Sequence, residues 1–250
     1  MINLLIVIFV VYVAIGVFLY INQRSFLYFP SQVVEHNYQK MLFQNEGESI
    51  SVVVVNPGKD RALLYFGGNG EAVAAGASVF EEKLAEYTTY MVDYRGYGQS
   101  SGESTQRAIF SDALHIFDEI EPKHSSMNLF GRSLGSGVAA FVASKRTVSK
   151  LALITPYDSI QSVAQGRFPI YPMSILSKDK YDSMSRVSDI KADTIVLIAS
   201  DDSVVPPKHA HRLVAAFPKA QIKSIVIDGA EHNNIAYTVE YHEALREFFR

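Results

Sequence analysis

A serine stands between two glycines in Gly131-Arg132-Ser133-Leu134-Gly135. Gly-x-Ser-x-Gly is the pattern of a nucleophile elbow, a sharp strand-to-helix turn that lifts a serine hydroxyl clear of a sheet. An apolar run over residues 127–130 precedes it, and Val138-Ala139-Ala140-Phe141-Val142-Ala143 follows, which suits a strand leading into a buried helix. A serine hydroxyl is a poor nucleophile at neutral pH. It needs a base within hydrogen-bond reach and a third group that orients the base. His232 is the best-placed base, in a loop directly after the last apolar run, residues 222–227. The other six of the seven histidines are worse placed. His36 lies before the core, and His115 and His124 lie before the serine. His209 and His211 fall in a helix, and His242 falls in the final one. Two aspartates, Asp201 and Asp202, end the run 194–199 ahead of Pro206-Pro207. One of them can orient the base while the other caps the turn.

Attack on a carbonyl also builds negative charge on oxygen, which preorganised donors must meet. The backbone amide after the nucleophile, that of Leu134, is one donor. A second is expected from the loop Gly67-Gly68-Asn69-Gly70, whose glycines let backbone approach a ligand closely. The loop is not a Walker-type phosphate cradle, because no Gly-Lys-Ser/Thr follows it. No His-Glu-x-x-His spacing and no cysteine is present, so the sequence offers neither a zincin motif nor a thiol nucleophile. We expect no cofactor and no metal.

The elements that must carry these residues alternate. Strands are expected over residues 50–55, 61–66, 88–92, 127–130, 151–154, 194–199 and 222–227. Helices are expected over 71–87, 106–120, after the elbow, and over 207–217 and 235–249. Such alternation predicts an α/β fold, a mostly parallel sheet with helices on both faces. Residues 157–191 break the rhythm and are rich in Ser, Pro, Tyr and Met, which reads as a small cap insertion.

Residues 4–21 form an uncharged apolar run. As a helix it would be roughly 27 Å long, close to the thickness of a bilayer's hydrocarbon layer. No basic residue precedes it and no Ala-x-Ala site follows, which favours an uncleaved membrane anchor over a signal peptide. Arg24 just after the span leans towards a cytoplasmic body. The expected organisation is an N-terminal membrane anchor, residues 1–22, a connecting segment, 23–48, and a catalytic domain, 49–250. The 250 residues carry a net charge of −3, which argues against a nucleic-acid partner.

Together these pieces resemble the α/β-hydrolase superfamily, and within it the membrane-anchored serine hydrolases that include protein depalmitoylases and lysophospholipid or monoacylglycerol hydrolases. The resemblance runs from about Arg24 to the C-terminus. It rests on Arg24-Ser25-Phe26-Leu27-Tyr28-Phe29-Pro30, Gly67-Gly68-Asn69-Gly70, the loop from Asp93 to Gly102, the elbow, and Asp202 with Pro206 and His232. It implies the chain order nucleophile, acid, base: Ser133, Asp202, His232. It also implies Asn69 as the second backbone donor and an acyl-enzyme route on an ester-type substrate. Gly67 departs from the pattern, since relatives often carry there a histidine that supports the loop. A serine peptidase of related fold shares the triad, and a tethered binding protein that kept the fold without catalysis is the rival from another class.

Overall fold

The computed structural model describes residues 2–250. The chain opens with helix α1 (Ile2–Leu27), then strands β1 (Gln39–Asn45), β2 (Glu48–Val55) and β3 (Arg61–Phe66). Helix α2 (Ala77–Lys83), β4 (Tyr87–Val92), α3 (Gln106–Ile120), β5 (Ser126–Arg132), α4 (Leu134–Ala143) and β6 (Lys150–Ile154) follow. Two short helices, α5 (Ile160–Arg167) and α6 (Met173–Leu176), precede β7 (Asp193–Ala199), α7 (Lys208–Ala216), β8 (Ile222–Ile227) and α8 (Val239–Phe248).

The eight strands form one sheet in the order β1-β2-β4-β3-β5-β6-β7-β8. β1 and β2 pair antiparallel at one edge, and from β4 onwards every pairing is parallel. Alternation along β3 shows how both faces are filled. Leu64 and Phe66 join Ile109 and Ile116 of α3 and Val138 of α4 on one side. Leu63 and Tyr65 join Ala77 of α2 and Leu245 of α8 on the other. A sheet buried on both faces reads as continuous apolar runs, which is what β2, β6 and β7 present.

The expected α/β architecture is the one observed, with three local differences. The sheet begins at Gln39 rather than within the apolar run at residue 50, because β1 pairs its backbone to β2 while most of its side chains face solvent. Such an edge strand lacks the double-sided apolar run of a central one. The helix expected over 71–87 is a short 3₁₀ turn, Val73–Gly76, followed by α2. Gly76, a weak helix former, sits at the break, and Tyr87 already belongs to β4. The last helix starts at Val239, where the Thr238 side chain accepts a hydrogen bond from the Tyr241 amide. Residues 235–237 form a separate 3₁₀ turn.

None of the described residues of α1 is buried, and by length and composition this helix can cross a membrane. It runs on to Leu27, beyond the apolar segment, and Arg24 in its last turn pairs with Asp179 at 2.9 Å.

Candidate active site

The parallel strands end on one side of the sheet, and their following loops gather there. Ser133 stands between β5 and α4 with φ 49° and ψ −116°. A non-glycine residue in that region is strained by about 1–3 kcal/mol, and the surroundings must hold it. They do so by close approach. A Cβ on Gly135 would lie 2.0 Å from the carbonyl oxygen of Phe66, and one on Gly131 would lie 2.4 Å from that of Gly135. Only glycine fits at either position, so the two glycines are what lets α4 press onto β3 and β5 behind the serine. The Ser133 amide donates to Ile154 at 2.9 Å, which ties the turn to β6.

His232 lies in the loop after β8 and Asp202 in the loop after β7, and both are buried. His232 Nε2 is 2.7 Å from Ser133 Oγ. His232 Nδ1 is 2.6 Å from Asp202 Oδ2. The other carboxylate oxygen, Oδ1, accepts from the amides of Val204 at 2.9 Å and Val205 at 2.7 Å. Those two bonds fix the carboxylate plane and leave Oδ2 for the ring. Asp201 is exposed and, among the described residues, its side chain accepts only from Ser200 Oγ, at 3.1 Å, so the structure sets Asp202, not Asp201, against the histidine.

Ser133, Leu134 and Asn69 line one cavity of about 300 Å³. The Leu134 amide is at the first position of α4, where helix geometry leaves N–H groups without an intrahelical partner. Asn69 is held by its side chain: Oδ1 accepts from the Phe29 amide at 2.9 Å and from the Tyr97 hydroxyl at 2.6 Å. Burial pushes the Tyr97 phenol up to about 12, so it stays a donor at neutral pH.

Two residues that the sequence reading did not single out complete the site. Glu71, just past the glycine loop, accepts from the Gly68 amide at 2.7 Å and the Tyr65 hydroxyl at 2.5 Å. It also accepts from Arg132 Nη1 at 2.9 Å. Arg132, inside the elbow, extends Nη2 to the His232 carbonyl at 3.4 Å and to Asn233 Oδ1 at 3.3 Å. Burial works against the charge on Arg132, but Glu71 together with the nearby phenols of Tyr65 and Tyr241 outweighs it, and the guanidinium stays protonated. One ion pair therefore links the glycine loop, the elbow and the histidine loop. This answers the absence of a histidine at position 67. A side chain there would meet Val73 at 2.9 Å, and the support comes from Glu71 instead. The legible signal was an acid beside one loop and a base inside the other. Among the described residues no cluster of His, Cys, Asp and Glu is arranged to hold a metal ion.

This sheet, with a strained serine after its fifth strand and a histidine after its last, has the architecture of the α/β-hydrolase class. Solved structures agree on the fold. The esterase Pf2001 of Pyrococcus furiosus superposes with a TM-score of 0.69 at 16% identity, over 88% of this chain and 95% of that one. An enol-lactonase from Burkholderia xenovorans superposes with a TM-score of 0.65 at 13% identity, over 83% of this chain and 99% of that one. In sequence, the chain is 30% identical over 245 residues to an uncharacterized protein of Mycobacterium tuberculosis, Rv2307c, covering 89% of this chain and 85% of that protein. It is 27% identical over 164 residues to the α/β-hydrolase domain-containing protein aho-3 of Caenorhabditis elegans, covering 64% of this chain and 48% of that one. No family model matches the chain. The chain belongs to the α/β-hydrolase superfamily.

Proposed function

We propose that the protein is a serine hydrolase that cleaves carboxylic ester or thioester bonds through an acyl-enzyme. His232 Nε2 takes the proton of Ser133 as Oγ attacks the carbonyl carbon. The carbonyl π electrons move to oxygen, which the Leu134 and Asn69 amides meet. Asp202 holds the ring so that Nε2 faces the serine, and stabilises the imidazolium. Collapse of the tetrahedral species breaks the bond to the alkoxide or thiolate, which leaves with the proton from Nε2. Water, deprotonated by the same nitrogen, then attacks the acyl carbon and returns Ser133 to its free form. The reading is carried by one observation, the line Ser133–His232–Asp202 with contacts of 2.7 and 2.6 Å beside an apolar cavity. Its support role for Glu71 and Arg132 is to keep the three loops in register.

In this reading residues 1–22 anchor the protein as a single membrane span, 23–48 connect it to the body, and 49–250 form the hydrolase domain with its cap at 157–191. Arg24 after the span favours a body on the cytoplasmic side. The substrate is a small or lipid-like acyl ester. Labelling of the full-length protein with a fluorophosphonate probe tests the chemistry. Wild type is expected to be labelled at Ser133 and Ser133→Ala to be blank, and an unlabelled wild type refutes the proposal.

A further inference from the structure

The reactive serine does not open onto a pocket made by the body alone. Leu19, Gln23 and Leu27 of α1 form one wall of the cavity that holds Ser133. Ile160, Val163 and Met173 of the insertion between β6 and β7 line it as well. The helix is fixed against that insertion along one side. Tyr12 stacks on Tyr171 with ring centres 4.7 Å apart, and their hydroxyls reach across to backbone, Tyr12 to Ile170 at 2.9 Å and Tyr171 to Tyr12 at 3.0 Å. Gly16 leaves the room that the Tyr171 ring occupies, since a Cβ there would sit 3.1 Å from it. Gln23 bridges the Leu176 carbonyl at 3.1 Å and the Lys178 amide at 2.7 Å. Residues 12, 16, 19, 22, 23 and 27 are the less exposed positions of an otherwise exposed helix, and all but residue 22 follow the three- and four-residue spacing that marks a single face.

Polar side chains of the cavity lining spend hydrogen bonds on neighbouring protein groups. Asp179 accepts from Arg24 and from the Gln106 amide. Arg167 donates to the carbonyls of Ser203 and Val204. Gln23 is committed to the insertion as described. Most of the lining is hydrocarbon, and Ser133, Leu134 and Asn69 are part of it. That is a chamber for a reacting carbonyl with a long apolar tail. Resting on the serine-hydrolase reading above, we infer that the acyl chain of the substrate lies between α1 and the insertion, so that the apolar N-terminal helix is a wall of the substrate site as well as a tether.

A fluorophosphonate carrying a long alkyl chain with a terminal diazirine tests this on the full-length wild-type protein in detergent micelles. After adduct formation and irradiation, peptides are sequenced. Cross-links on residues 19–27 or on the α5–α6 segment, with α1 among them, are expected. An adduct on Ser133 whose cross-links never fall on α1 overturns the inference while leaving the hydrolase intact. No adduct on Ser133 overturns both. As a second measurement, Leu19→Trp narrows the chamber. It is expected to lower the ratio of kcat/KM for p-nitrophenyl decanoate over p-nitrophenyl acetate about tenfold, a steric loss of the size such pockets impose. Phe9→Trp, on an outward-facing part of the same helix, keeps the wild-type ratio. An unchanged ratio in Leu19→Trp also overturns the inference.

Discussion

Among the described residues, two buried aspartate–histidine pairs have similar contact distances. Asp202 and His232 meet at 2.6 Å, and Asp158 and His209 meet at 2.8 Å. The difference lies in what closes each pair. At His232 the far nitrogen points to the hydroxyl of a strained serine. At His209 no hydroxyl is hydrogen-bonded to the far nitrogen among the described residues. Arg212 instead takes the second oxygen of Asp158 at 2.7 Å and donates on to Ser162. One pair is left with a proton to move. The other is a neutralised strut that fastens the insertion to α7. An Asp–His contact by itself is therefore no sign of catalysis, and the third partner decides.

The comparison breaks most decisively at the serine. Ser133→Ala is expected to cut ester hydrolysis by about 10⁶-fold, the scale of losing a triad nucleophile. Steady-state assay of p-nitrophenyl butyrate, checked by probe labelling, measures this. Asp202→Asn leaves the shape intact but lets the ring adopt the wrong tautomer, and a loss of about 10⁴-fold in kcat is expected. Asp201→Asn should be mild in the same assay, and equal losses from both aspartates would refute the assignment. Glu71→Gln removes the charge that Arg132 and the Gly68 amide lean on. A fall of about 10²-fold in kcat with little change in KM is expected, the scale of a misplaced oxyanion donor.

A third buried carboxylate, Asp93, sharpens the contrast because it lacks the direct cationic partner that Asp158 has. Burial pushes it up to about 6, and the polar groups near it, the Gln99 backbone and Ser51, offset this only in part. The folded protein then binds more protons than the unfolded chain between about pH 4 and 6, so this group's contribution to stability falls as pH rises through that window. The drop is at most about 3 kcal/mol, and Asp93→Asn should flatten it in urea titrations at pH 4 and 7. The smallest effect is expected at the strut. Asp158→Asn should cost about 1–2 kcal/mol, discounted because Arg212 is half exposed, while kcat stays within about threefold of wild type. A loss of kcat there as large as at Asp202 would erase the distinction drawn between the two pairs.

Much of the site's frame was readable beforehand. Gly131, Ser133 and Gly135 name their own turn, because steric demands at an elbow fall on adjacent residues. The parallel sheet was legible from runs such as residues 194–199, whose both faces are apolar. Strand β1 was not, since an edge strand is recognised by the partner it pairs with. The choice between Asp201 and Asp202 needed either the resemblance or the fold, because adjacent residues in a loop differ only in where their side chains point. Glu71 and Arg132 escaped notice because a link across 61 positions has no local period. The docking face of α1 was hidden in plain view: Tyr12, Gly16 and Gln23 recur on one side of an apolar helix, where an anchor alone needs none of them.

The stacked tyrosines at one end of α1 and the Arg24–Asp179 pair at the other are about 18 Å apart along the helix. Two contacts at that separation tie the insertion between β6 and β7 to α1. With α1 as the membrane span proposed above, the helix leans when the bilayer thins, and that lean becomes torque on the insertion. Turnover measured in vesicles of short- and long-tailed phosphatidylcholine would register that torque as a rate set by membrane thickness.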